Sequence, residues 1–463
     1  MRPDKQTVLP AQRRTTLRFP DFGRLDTVRG EKSLTGKDAP EIVNFTVNRR
    51  ALSDGWALES VASATGEFFS DLFVYRRYDA ETGTRKDSLV ARARSGKCYR
   101  FGLYDGGGFL QINGLTFSDS PVAVNYRLNG RDVLVLCSAA EGMKVLDGTT
   151  VTLVPDAPKI TSACVHYERL FVTVAGERNA VWFSDDLDIT NWKVSLEGAG
   201  FIEMADDGGA LLKAVSFADR VYLFRRYSIA RLTAYADQTE FSLSTLYVSS
   251  GRILEDTVCV CGDRILFVAR NGIFVFDGVS TTRVLERLDG RFDYGASGSF
   301  ACYWEGKYVL SAFDKAGYNL LLFYDVNTGE ETLVDCGTVC ALCSAGIESA
   351  SALYAVTASG SSTLRRFVPE GGDKIGFDKR YRSKTVLPAS GRRVRIARVR
   401  LDSAAPVQLS VRTEEGEEIF SHPGGGLCEM RCGLRGRELR FSLSASGNGH
   451  LVYAPVFEIL NLE

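Results

Sequence analysis

One pattern returns along the chain and restricts the folds open to it. A charged or glycine-containing turn leads into a short apolar strand, then a second turn and another strand. The apolar runs begin at Val133, Leu170, Val221, Ile265, Tyr308 and Leu353, in steps of 37, 51, 44, 43 and 45 residues. Asp71-Leu72-Phe73-Val74-Tyr75 reads as an earlier copy, and Gly272-Ile273-Phe274-Val275-Phe276 and Leu320-Leu321-Leu322-Phe323-Tyr324 read as partner strands. Asn129-Gly130, Asp147-Gly148, Asn271-Gly272 and Asp277-Gly278 supply the positive φ angles of tight hairpins. A period near 44 residues with about four short strands per unit is that of a β-propeller blade. The runs are continuous rather than alternating, as expected of strands covered on both faces. The expected fold is all-β, a propeller of six or seven blades.

Two regions fall outside the repeat. Residues 1–60 are polar and poor in hairpin signals, and read as an extended N-terminal arm crossing the surface. The propeller is then 61–375, and 376–463 is a C-terminal β-sandwich. There Val394-Arg395-Ile396, Val407-Gln408-Leu409-Ser410-Val411 and Leu439-Arg440-Phe441-Ser442-Leu443 alternate, the mark of sheets with one packed and one wet face. Arginines concentrate on the first of these strands. Arg392 and Arg393 lead in, and Arg393 and Arg395 share a face. Arg398 and Arg400 take that face over after a phase slip at Ala397, which predicts a β-bulge. These five arginines are the candidate interface or nucleic-acid-facing residues.

Charge is balanced, 56 basic against 57 acidic residues, so no global field steers the chain to nucleic acid or an anionic membrane, and a local patch must do so. No apolar run approaches the roughly 20 residues of a membrane span, and the first residues carry no secretory apolar segment, so no membrane anchor and assembly in the cytoplasm are expected. Eleven cysteines, an odd number set mostly in apolar stretches, read as reduced buried thiols. Cys336, Cys340 and Cys343, the pair Cys428 and Cys432, and the pair Cys259 and Cys261 approach zinc spacing, but no histidine adjoins the first cluster. His166, His422 and His450 lie far apart, no segment sets a nucleophile beside one of them, and no glycine-rich phosphate loop occurs. The expectation is a protein without catalytic residues, metal or cofactor.

The most distinctive short segment runs from Phe183 to Trp192. It resembles the Asp-box turn of sialidase-type propellers, with Ser184, Asp186 and Trp192 in the roles of that hairpin, a structural device rather than a site. A carbohydrate-binding or sialidase-like propeller is therefore the alternative function.

The order of features resembles another family, the tail nozzle and phage-stabilisation proteins of tailed bacteriophages. The likeness is carried by residues 34–47 with Asn44 opening a strand, by Ala180-Val181-Trp182-Phe183-Ser184-Asp185 through Asn191-Trp192, by Val221–Leu232, and by the arginine-rich segment from Lys384. It departs after Asn44, where the chain reads Ser53-Asp54-Gly55-Trp56. The resemblance implies a virion structural protein of the tail or neck, a homo-oligomeric ring that continues the DNA channel and retains the genome until ejection. Its implied partners are adaptor, portal and fibre proteins, with transient, non-specific contact to genomic DNA.

Overall fold

The computed structural model describes residues 14–462 except 20, 35, 49, 65, 80, 105–106, 196–197, 206–207, 236–237, 348–349, 358–362, 372–373 and 375. Among these residues the regular structure is strand, with three short 3-10 turns and no α-helix. Seven four-stranded antiparallel sheets follow one another as blades: I (69–116), II (122–154), III (160–203), IV (211–248), V (253–284), VI (300–334) and VII (339–369). The first strand of each blade is innermost, and these seven strands neighbour one another in a closed circle, blade VII against blade I. The fold is a seven-bladed β-propeller.

The repeat seen in the sequence is the second strand of blades II to VII. Arg169–Val174 is buried throughout, and Arg264–Ala269 and Lys307–Phe313 nearly so, because neighbouring blades cover both faces. Asp71–Tyr75 is not another such copy. It belongs to the innermost strand of blade I, Phe69–Tyr75, and the true second strand is Ser88–Ala93. In blades II to VI the first hairpin turns in two residues, at 129–130, 167–168, 218–219, 262–263 and 305–306, with positive φ at Asn129 and Gly130. In blade I the same connection spans 76–87 and carries its own small hairpin, Tyr78–Asp79 with Thr84–Arg85. That insertion breaks the period.

Tyrosine hydroxyls tie several blades to their neighbours. The Tyr75 hydroxyl donates to the Asp132 carbonyl and accepts from the Gly148 amide. Tyr126 donates to the Glu168 carbonyl, Tyr222 to that of Gly278, and Tyr308 to that of Thr257. Blade VII takes its outer strand from far upstream: Trp56–Ser63 pairs with Thr363–Pro369 and closes the ring. The propeller therefore begins at Trp56, within the segment read as an arm.

The rest of that segment is not a surface arm either. Arg14–Arg18 pairs with Val456–Asn461, Glu41–Val43 with Lys379–Arg382, and Ala51–Asp54 with Leu451–Val452. These strands complete the two sheets of the C-terminal sandwich, which share a core that includes Val394, Ile396, Leu409, Phe441 and Phe457. Pairing that buries backbone polar groups and apolar faces together outweighs the polar composition of the segment.

Candidate functional site

The strand Val394–Ser403 organises the arginine-rich surface. Val394, Ile396, Val399 and Leu401 are buried while Arg395 and Arg400 are exposed and Arg398 half-exposed. The ladder to Val456–Asn461 slips by one residue between Ile396 and Arg398, so Ala397 is the bulge. If Ala397 were instead kept in a regular, unbulged ladder, strict alternation would send Arg398 and Arg400 into the core.

Residues opposed across antiparallel strands share a face, so the register gives the composition of the wet surface. One row is Arg14, Leu460, Arg395 and Arg435. The next is Thr16, Glu458, Arg398 and Arg431, and the third is Arg18, Val456, Arg400 and Glu429. Within these three rows seven arginines stand against two glutamates, and Asp402, the next outward residue of the strand, lies opposite Leu427. Arg398 and Arg400 both bind Glu429, at 2.5 and 2.8 Å, and hold its carboxyl below the usual range. Arg14 lies 3.1 Å from Glu458. Arg393 is drawn off the face into a bidentate pair with Glu415, both bonds 2.8 Å, and Arg392 is exposed ahead of the strand. Of the five arginines singled out in the sequence, three stand on the face. Four more, Arg14, Arg18, Arg431 and Arg435, join it by long-range pairing. The period-2 spacing of Arg14, Thr16 and Arg18 was a usable signal for two of them.

Neighbouring strands lie about 5 Å apart and same-face positions about 7 Å apart along each, and the arginines stand on the strands to either side of Val456–Asn461, which itself contributes Leu460, Glu458 and Val456. A rigid sheet of that kind meets a polyanion through its phosphates, without reading sequence.

The segment 184–192 is a turn held by three buried side chains, Ser184, Ile189 and Trp192, with its tip exposed. The Leu170 amide donates to Ser184 Oγ at 3.0 Å, and Ile189 and Trp192 pack against Val133 and Val135 of blade II. The capping carboxylates differ from the expected one. Asp185 accepts from Asn191 Nδ2 at 2.6 Å and from the Asp186 amide, and Asp188 accepts from the Thr190 amide. Asp186 itself is exposed, and the positive φ of the turn, 58°, falls at Leu187.

The histidines each serve a separate contact. His166 Nδ1 meets Ser216 Oγ at 2.9 Å across blades III and IV, with no carboxylate hydrogen-bonded to the ring among the described residues. His422 accepts from the Gly424 amide and faces the Leu401 carbonyl. His450 Nδ1 lies 2.8 Å from Asp54 Oδ1, and Nε2 faces the Pro406 carbonyl. All eleven cysteines are free thiols, and burial pushes Cys336, Cys343 and Cys432 up to about 12. Among the described residues no three His, Cys, Asp or Glu side chains converge as a metal site, and no helix is long and apolar enough to cross a membrane.

No family model matches the chain, and no curated protein matches it. Among solved structures it is similar to virginiamycin B lyase from Staphylococcus aureus, with 7% identity over 68% of this chain and 99% of that one, and a TM-score of 0.46. It is also similar to BBS1N in complex with ARL6DN, at 11% identity over 69% and 98% of the two chains and a TM-score of 0.45. A third is BamB from Moraxella catarrhalis, at 13% identity over 68% and 99% and a TM-score of 0.39.

Proposed function

We propose that this chain is a non-enzymatic structural subunit of a phage virion, forming a nozzle-like homo-oligomeric ring in the tail or neck. Copies of it continue the DNA channel and retain the genome until ejection, docked to adaptor, portal and fibre proteins. The reading rests on the resemblance in the sequence and is supported above all by the basic sheet face, seven arginines against two glutamates on a rigid sandwich. A channel wall needs charge that attracts DNA weakly and equally along its length, since tight or sequence-specific binding impedes ejection.

Native mass spectrometry and negative-stain imaging of the full chain test the assembly. A closed ring is expected, and a chain that stays monomeric at every concentration sinks the proposal. For the face, the combined substitution Arg395→Ala, Arg398→Ala and Arg400→Ala is expected to weaken binding to random-sequence duplex. It should also flatten the slope of log affinity against log salt by about 2 to 3. An unchanged slope removes DNA from the reading.

A further inference from the structure

The insertion that breaks the repeat in blade I also builds a binding site. Arg76, Arg77, Tyr78, Arg85 and Asp87 of that insertion form one wall of an open cleft of about 570 Å³, whose other walls come from the first hairpins of blades II and III. Loops added to a rigid scaffold are where recognition concentrates, and no other inner hairpin among blades II to VI exceeds two residues.

The wall is fixed before any ligand arrives. Three successive amides, those of Arg76, Arg77 and Tyr78, donate to Asn125 Oδ1, Asp87 Oδ1 and Asp132 Oδ2 at 2.8, 3.0 and 2.7 Å. With the backbone pinned, the side chains project from a set frame, which lowers the ordering cost of binding. Arg76 and Arg85 have no carboxylate within ion-pair distance among the described residues, and Arg127 has Asp132 only at 3.9 Å. Tyr78 and Tyr167 are 54% and 47% exposed along the same cleft.

Those features define a ligand. Unpaired guanidinium groups call for an anion, and exposed tyrosine faces call for an apolar ring face lying flat on them. Asp87, Asp132 and Glu168 line the cleft as well, and their free lone pairs accept hydroxyl donors. Against four arginines they leave a net of one positive charge, too little for a phosphate dianion or a nucleic-acid backbone and suited to a single carboxylate. The geometry points to a site for a saccharide bearing one carboxylate, a sialic or uronic acid residue, on the face of the propeller where the inner hairpins turn.

Saturation-transfer NMR and calorimetry on the full chain test this with N-acetylneuraminic acid, glucuronic acid, glucose and inorganic phosphate as probes. At least one of the two acids is expected to saturate the protein, with glucose and phosphate weaker by about tenfold or more. The double variant Arg76→Ala with Arg85→Ala should lose about tenfold in affinity for the acid while keeping the wild-type melting temperature. Arg398→Ala, on the sandwich, should leave it unchanged. No saturable binding of either acid overturns the proposal, as does an unaltered affinity in the double variant or tighter binding of phosphate than of the acids. None of these outcomes bears on ring formation, which is read separately.

Discussion

Asn44 sits at φ 61° and is 4% exposed, a left-handed backbone that alanine adopts only at a cost of about 1–2 kcal/mol. Its side chain closes the joint between propeller and sandwich. Nδ2 donates to the carbonyls of Asp335 and Asp378 at 3.1 and 2.7 Å, and Oδ1 accepts from the Asp335 amide at 2.8 Å. Asn44→Ala strands all three backbone groups and should cost about 2–4 kcal/mol, read as a lower urea midpoint with an unchanged slope. Asn44→Gly relieves the backbone only and should recover no more than about 1 kcal/mol of that loss. Full recovery would show that strain, not bonding, holds the joint. Nearby, Lys379 is completely buried, 2.5 Å from Glu370 and 3.6 Å from Asp54. Burial alone would raise the Asp54 carboxyl, but bonds from His450 and the charge of Lys379 hold it below its ordinary value of 3.8. A depressed carboxyl contributes stability above the unfolded-state value and loses it as pH falls through the folded one. Wild-type stability should therefore drop below about pH 4, and Asp54→Asn should be less stable at pH 7 but flatter across the acid range. Urea midpoints between pH 7 and pH 3 measure both. An equally steep acid limb in the variant assigns the loss to other carboxylates.

At the scale of the strand, the bulge at Ala397 shows what one residue decides. Removing Ala397 leaves Val394-Arg395-Ile396-Arg398-Val399-Arg400-Leu401, an unbroken alternation that keeps every arginine on the wet face. The carbonyl of Ala397 accepts from the Cys432 amide, so the deletion should cost only about 1–2 kcal/mol. Deleting Val399 instead turns Arg400 inward, where an unpaired guanidinium is not tolerated, and the sandwich should fail to fold. Circular dichroism and thermal melts distinguish the two, and equal damage would mean the bulge is not what sets the face. The phase slip was legible in the sequence because alternation is a local property, and the second strands of blades II to VII were legible because burial on both faces forces continuous apolar runs. Blade I was misread, since its second strand, Ser88–Ala93, buries Arg92 against Asp71 and the Phe117 carbonyl and so lacks the apolar signature. The cleft was invisible for a related reason. Its arginines and tyrosines come from three hairpins, and only the closing of the ring brings them together.

Over the whole molecule, the segment before residue 64 is what the sequence concealed, because its partners are hundreds of residues away. Val43 pairs with Arg380, Leu52 with Val452, and Trp56–Ser63 with Thr363–Pro369, so one stretch of chain completes both sandwich sheets and the last blade. Trp56 stacks on Phe323 at 5.6 Å and meets Trp304 edge-on at 5.0 Å, fastening the closing strand to blade VI. One apolar cluster runs from Val268, Leu310 and Leu322 in blades V and VI through Phe22 and Phe45 to Leu401 and Phe457 in the sandwich. A shared core and a shared segment make the two parts one cooperative unit, so calorimetry of the full chain should show a single transition. Fragments separate the contributions. A piece spanning 55–375 keeps the closing strand and loses only its cover from the sandwich, and should melt cooperatively at a lower temperature. A piece spanning 64–375 leaves Thr363–Pro369 as an open edge and blade VII incomplete, which invites edge-to-edge association. It should aggregate or show no cooperative melt, and a 64–375 fragment as stable as 55–375 would mean that the propeller closes without its upstream strand.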